Sequence, residues 1–216
     1  MSIRLLDRSN ALPAVVLGVL LLVAAVLISF SLRQPPIDAW PPTPSLEREA
    51  GDSLVGPLQY TIDATSPDRW VFFDFSRRSV VPRGDPLGWD LAFQRFHIIA
   101  NGGEGFAGEG GILDLGEVPF DSITQVPASG YLPTEPRSDS TNPAIARWYS
   151  YGWTSHLLKP KPHVWAVRTA DGRFATIRIL GYYCPGAIPG CITFEYLYQG
   201  NGGRGFNTAR RASPSN

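Results

Sequence analysis

Two hydrophobic patterns divide the chain. From Ala11 to Leu32 no residue is charged, and Leu, Val, Ile and Ala fill nearly every place. As a helix this run is ~33 Å long, enough to cross a hydrocarbon core of ~30 Å. After it, apolar positions alternate with polar or small ones. Trp89, Leu91 and Phe93 interleave with Asp90, Ala92 and Gln94, the period-two pattern of a half-buried strand. Runs of this kind, or rich in β-branched and aromatic residues, predict strands over 59–62, 70–75, 89–98, 111–115, 163–169, 174–183 and 192–199. Asp171-Gly172 predicts a tight hairpin, because a primed turn needs positive φ angles. The last three runs then form an antiparallel meander. Pro143 near its first turn makes 142–149 the best helix candidate outside the membrane run. The expected fold is all-β, antiparallel and multi-layered, behind one transmembrane helix.

The same pattern orders the chain. Residues 1–10 flank the span, 11–32 cross, 33–57 form a Pro-rich linker, 58–199 form the β domain, and 200–216 form a Gly/Arg/Ser tail expected to be loose. Arg4 and Arg8 precede the span and Arg33 follows it, which favours a cytoplasmic N-terminus and a head on the far side of the membrane. The rival is a cleaved signal peptide. Its apolar region is normally ~7–15 residues and ends in small residues, whereas this run is longer and Ser29-Phe30-Ser31 is a poor cleavage site. No Cys follows the run, so lipidation is not expected.

Composition removes several functions. The formal net charge is +0, which argues against a nucleic-acid binder. Gly103-Glu-Gly-Phe-Ala-Gly108 fits a dinucleotide fingerprint in spacing, but Glu109-Gly110-Gly111 follows where a helix must open. It reads as a glycine-rich loop. Asn101-Gly-Gly-Glu-Gly-Phe106 recurs as Asn201-Gly-Gly-Arg-Gly-Phe206, too short for a structural repeat. No nucleophile elbow, phosphate loop or zinc-protease motif occurs, and no enzyme is expected.

What remains is binding chemistry. Cys184 and Cys191 flank a turn-like Pro185–Gly190 insert and form either a disulfide or two buried thiols. A disulfide there contributes ~2–3 kcal/mol in the chain-entropy model and persists outside the cytoplasm. His97 falls on the apolar side of its strand. His156 and His163 bracket one loop, and a pair of imidazoles can clamp a metal or a haem iron. The cluster Trp148, Tyr149, Tyr151 and Trp153 is dense enough to supply interface anchors as well as core.

The motif order Trp70-Val-Phe-Phe-Asp74-Phe, Trp89-Asp-Leu-Ala-Phe93, Asn101-Gly-Gly103, Trp148-Tyr149, Val167–Gly172, Tyr182-Tyr183 and Ile192–Tyr196 resembles the HmuY-like family over roughly 58–199. The resemblance implies a compact β domain of the bacterial envelope that binds rather than catalyses, with haem as a cofactor of the founding type. Founding members are lipoproteins, whereas this chain has an apolar span and no lipobox Cys. The expectation is therefore a membrane-anchored periplasmic accessory protein. It needs no cofactor of its own and docks on other subunits of a larger membrane complex of respiratory or photosynthetic type. The alternative is a haem-binding envelope protein using His156 and His163.

Overall fold

The computed structural model describes residues 8–32, 36–46, 49–51, 53–135 and 141–207. Helix α1 spans Arg8–Leu32, 25 residues with Pro13 in its second turn, and Leu12–Phe30 is long and apolar enough to cross a membrane. Residues 1–7 of the expected cytoplasmic flank lie outside the described set.

The head is built from β1 (Leu54–Asp63), β2 (Val71–Asp74), β3 (Ser79–Val81), β4 (Leu91–Gln94), β5 (His97–Ala100), β6 (Gly111–Asp114), β7 (Tyr149–Tyr151), β8 (Leu158–Pro160), β9 (Trp165–Arg168), β10 (Phe174–Cys184) and β11 (Ile188–Gln199), with a short 3-10 turn at Phe120–Ser122. Five strands form one sheet in the order β1-β11-β10-β9-β6, four form a second in the order β3-β2-β4-β5, and β7 and β8 make a two-stranded ribbon. The expected meander is present as β9, β10 and β11, antiparallel throughout.

The two large sheets meet through aromatic rings. Phe73 of β2 touches Tyr60, Phe194 and Tyr196 of the other sheet edge-on at 4.9, 5.3 and 5.8 Å. Phe93 of β4 stacks on Phe194 at 5.6 Å. Alternation dictates this: Phe73, Leu91 and Phe93 face the large sheet, and each is buried. Such ring pairs add ~0.5–1.5 kcal/mol each beyond the area they bury.

Several expectations change. The strand expected over 89–98 is a hairpin, β4 to β5, turned at Arg95-Phe96. Arg95 takes φ 54°, and its guanidinium donates to the carbonyls of Thr65 and Pro189, 3.0 and 2.9 Å away. A long-range anchor, not a Gly or Asn, holds that turn. The helix expected over 142–149 is two successive single turns, closed by Ile145 N–H to Asn142 O and Trp148 N–H to Ile145 O, and Tyr149 already belongs to β7. The tail is tied down as far as Asn207. Phe206 is fully buried in a cluster with Phe120, Val126 and Leu197, and its N–H donates to Thr124 O. Residues 208–216 lie outside the described set.

The Pro-rich linker is partly a strap on the head. Trp40 N–H donates to Tyr183 O at 3.0 Å, Thr43 N–H to Thr61 O at 2.9 Å, and Ser45 Oγ to Val80 O at 3.0 Å. Trp40 lies against Gly181, where an added Cβ would overlap its ring. The linker's C-terminal end, from Leu54, is already strand β1. Gly181→Val is expected to displace Trp40 and cost ~1–3 kcal/mol by overpacking. Hydrogen exchange checks it: protection at Trp40 and Thr43 falls while that of β4 and β5 is kept.

Candidate functional site

The motif Trp89-Asp90-Leu91 has a structural reason. Asp90 is buried just before β4. Its Oδ2 accepts from Phe75 N–H and its Oδ1 from Ala170 N–H, both at 2.9 Å. Phe75 opens the turn after β2 of the smaller sheet and Ala170 sits in the β9–β10 turn of the larger one. One carboxyl group therefore ties the two layers. Asn101 continues the tie: its N–H donates to Asp90 O, and its Nδ2 donates to the carbonyls of Pro86 and Trp89. The glycine loop 101–111 closes around Asn101. A Cβ at Gly102, Gly108 or Gly110 would strike backbone across the loop, which explains the glycines without any nucleotide.

Burial pushes the Asp90 carboxyl up to about 8, with the nearby Asp74 charge adding to the rise and the two backbone donors opposing it. In the unfolded chain the group loses its proton near pH ~4. Between pH 4 and 8 the folded state thus holds the extra proton, and stability falls as pH rises through that window, by at most ~1.4 kcal/mol per pH unit. Asp90→Asn is expected to flatten this slope. It also leaves one buried N–H without an acceptor, at a cost of ~1–3 kcal/mol. Denaturant midpoints at pH 5 to 8 measure both.

A groove of about 810 Å³ opens elsewhere on the head, lined among others by Glu117, Phe120, Lys159, Lys161, His163 and Arg178. Register builds its edge. Asp114 of β6 pairs opposite Trp165 of β9, so it stands beside His163, two residues earlier. His163 Nδ1 lies 3.0 and 2.9 Å from the two Asp114 oxygens, and its ring stacks on Trp165 at 5.7 Å. Nε2 faces Glu117 at 3.9 Å. Arg178 lies over the Phe120 ring at 5.0 Å and is paired with Glu195. Sequence reasoning named His163 but not Asp114 or Glu117. Nothing local marks them; Asp114 is placed by the β6–β9 register and Glu117 by the loop that follows β6.

His156 lies on the segment Tyr151–Leu158 between β7 and β8. This tight loop is closed by Gly152 N–H to Leu157 O and His156 N–H to Gly152 O, with His156 at φ 56°. Tyr151 Oη and His156 Nδ1 are 2.5 Å apart, and the Tyr151 and Trp153 rings meet edge-on at 5.7 Å. Trp153 is 84% exposed and Tyr151 43%. The two expected haem ligands are thus each engaged locally, by different partners. His97 Nδ1 is held by Thr141 Oγ1 at 2.6 Å. Among the interface candidates, Trp148 is corrected to core: it is fully buried, with Nε1 donating to Phe96 O, and Tyr149 packs half-buried against it. Cys184 and Cys191 form the disulfide across the β10–β11 turn. Among the described residues no cluster of three or more His, Cys, Asp or Glu could hold a metal ion.

The described head is thus a two-layer antiparallel β domain with grooves and exposed aromatics. The HmuY protein family matches residues 66–196, and the chain belongs to that family. No curated protein matches the sequence. Among solved structures, it is similar to a Bacteroides fragilis protein assigned as a lipoprotein, at 19% identity, covering 72% of this chain and 94% of that one with a TM-score of 0.54. The apo HmuY analog of Tannerella forsythia matches at 18% identity over 70% and 99%, TM-score 0.53. A Bacteroides vulgatus protein assigned as HmuY-like and heme-binding matches at 20% over 72% and 97%, TM-score 0.52. These likenesses establish the fold.

Proposed function

We propose that this chain is a non-catalytic, membrane-tethered binding module of the cell envelope. Its head sits in the periplasm on an inner-membrane anchor and docks on a larger membrane complex of electron-transfer type. The observation that carries this reading is Trp153, an aromatic left 84% exposed beside Tyr151 on a hydrogen-bonded loop. Large exposed aromatics on rigid supports are the side chains that interfaces use as anchors. The apolar helix Leu12–Phe30 and the disulfide fit a head exported on a tether. Purification from native membranes in gentle detergent is expected to yield the chain with stable partners. Trp153→Ala is expected to weaken that association by ~30-fold, a loss of ~2 kcal/mol. A wild-type chain that always runs as a lone monomer would overturn the reading.

A second reading, haem binding, is favoured by one contact. The Asp114 carboxylate on His163 Nδ1 is the arrangement that fixes the orientation of a ligating imidazole, with Nε2 turned toward the groove. Lys159 and Lys161 border the same groove and suit propionates. Neutral imidazole is a good axial ligand. Haemin added to the full chain is then expected to give a shifted Soret band that His163→Ala abolishes. Asp114→Asn is expected to weaken binding ~10–100-fold. An unshifted wild-type spectrum removes this reading and leaves the first untouched.

A further inference from the structure

The outer face of the smaller sheet is apolar. Its inner face packs on the large sheet through Phe73, Leu91 and Phe93. Antiparallel sheets commonly leave the opposite face polar. Here Val81, Trp89, Ala92 and Ile99 instead form a second buried cluster, with Trp70, Phe72 and Phe106 packed onto it. Phe72 and Trp89 meet edge-on at 5.0 Å, and Trp89 and Phe106 at 5.9 Å. The rings leave a cleft of about 570 Å³ between them, bordered by Arg83, Asp85 and the glycine loop. That is the size of a small-molecule site.

The polar groups at this cleft are mostly committed. Asp85 Oδ1 accepts from Leu87 N–H, and the Asn101 amide donates to Pro86 and Trp89 carbonyls. Arg83 differs. Its guanidinium lies 5.9 Å above the Phe72 ring. Among the described residues it pairs with no carboxylate. A guanidinium thus overhangs an aromatic slot.

We infer that this cleft binds a small aromatic carboxylate, its ring between Trp70, Phe72, Trp89 and Phe106 and its carboxylate on Arg83. The chemistry is complementary in both parts. Flat rings take edge-to-face positions among the cleft's aromatics, and guanidinium meets carboxylate in a forked, charge-assisted pair. A neutral ring would gain only the first part, and an aliphatic cation would be repelled by Arg83. The site stands apart from the His163 groove and does not depend on either reading of it.

The full chain in lipid nanodiscs, titrated calorimetrically with 2-naphthoate against empty nanodiscs, tests this. Saturable binding at micromolar to sub-millimolar concentration is expected, with the amide 2-naphthamide at least ~10-fold weaker, in line with a charge-assisted pair of ~1.5–3 kcal/mol. Arg83→Gln, at an exposed position, is expected to bring naphthoate down to the level of the amide while leaving the unfolding midpoint unchanged. Phe72→Leu, which keeps the sheet face apolar, is expected to weaken both compounds. His163→Ala is expected to leave naphthoate binding as it was, so a failed haemin titration and a failed naphthoate titration remain separate results. Absence of saturable naphthoate binding overturns the proposal, as does equal binding by Arg83→Gln or its loss in His163→Ala.

Discussion

One buried carboxyl group holds the two layers of the head in register. Asp90 receives a backbone N–H from the turn after β2 and another from the β9–β10 turn, and no other residue type offers two acceptors at that reach. Burying it is costly, as its raised proton affinity records. That cost is tolerated because the alternative is two buried N–H groups with no acceptor. Around this tie the rest follows. Asn101 extends it into the glycine loop, and the rings of Phe73, Phe93 and Phe194 close the space between the sheets.

Much of the fold was legible because period-two patterning records which face of a strand is buried. The run around Phe93 alternates and those around Phe73 and Phe194 are rich in aromatic and β-branched residues, and each became a strand facing the other sheet. Asp171-Gly172 became a turn, with Gly172 at φ 81° and Asp171 Oδ1 accepting from Thr169 Oγ1. Failures came where a distant contact decided local structure. Arg95 adopts its turn because Thr65 and Pro189 offer carbonyls, and neither is near it in sequence. Residues 143–148 stay as single turns because Asn142 and Trp148 are bonded to the β4–β5 hairpin, through Ile98 O and Phe96 O. Phe206 was read as tail because one aromatic among Gly and Arg carries no period at all.

The candidate sites were legible to a smaller degree, for the same reason. Histidines can be counted from sequence, but Asp114 stands beside His163 only through strand register. Trp148 and Trp153 sit five residues apart in one aromatic cluster. Trp148 is buried because its indole N–H finds Phe96 O, whereas Trp153 lies at a loop and stays in solvent. Membership of the HmuY family fixes the architecture and leaves the occupant of each groove to chemistry.

The strap also has a mechanical meaning. Ala39 bridges Tyr183 in parallel, and Tyr183 precedes Cys184, whose sulfur is bonded to Cys191. Traction applied through the N-terminal segment first meets the head at a covalently closed turn joining its two longest strands. The place where the strap joins the head is therefore also where its longest hairpin is closed by a covalent bond.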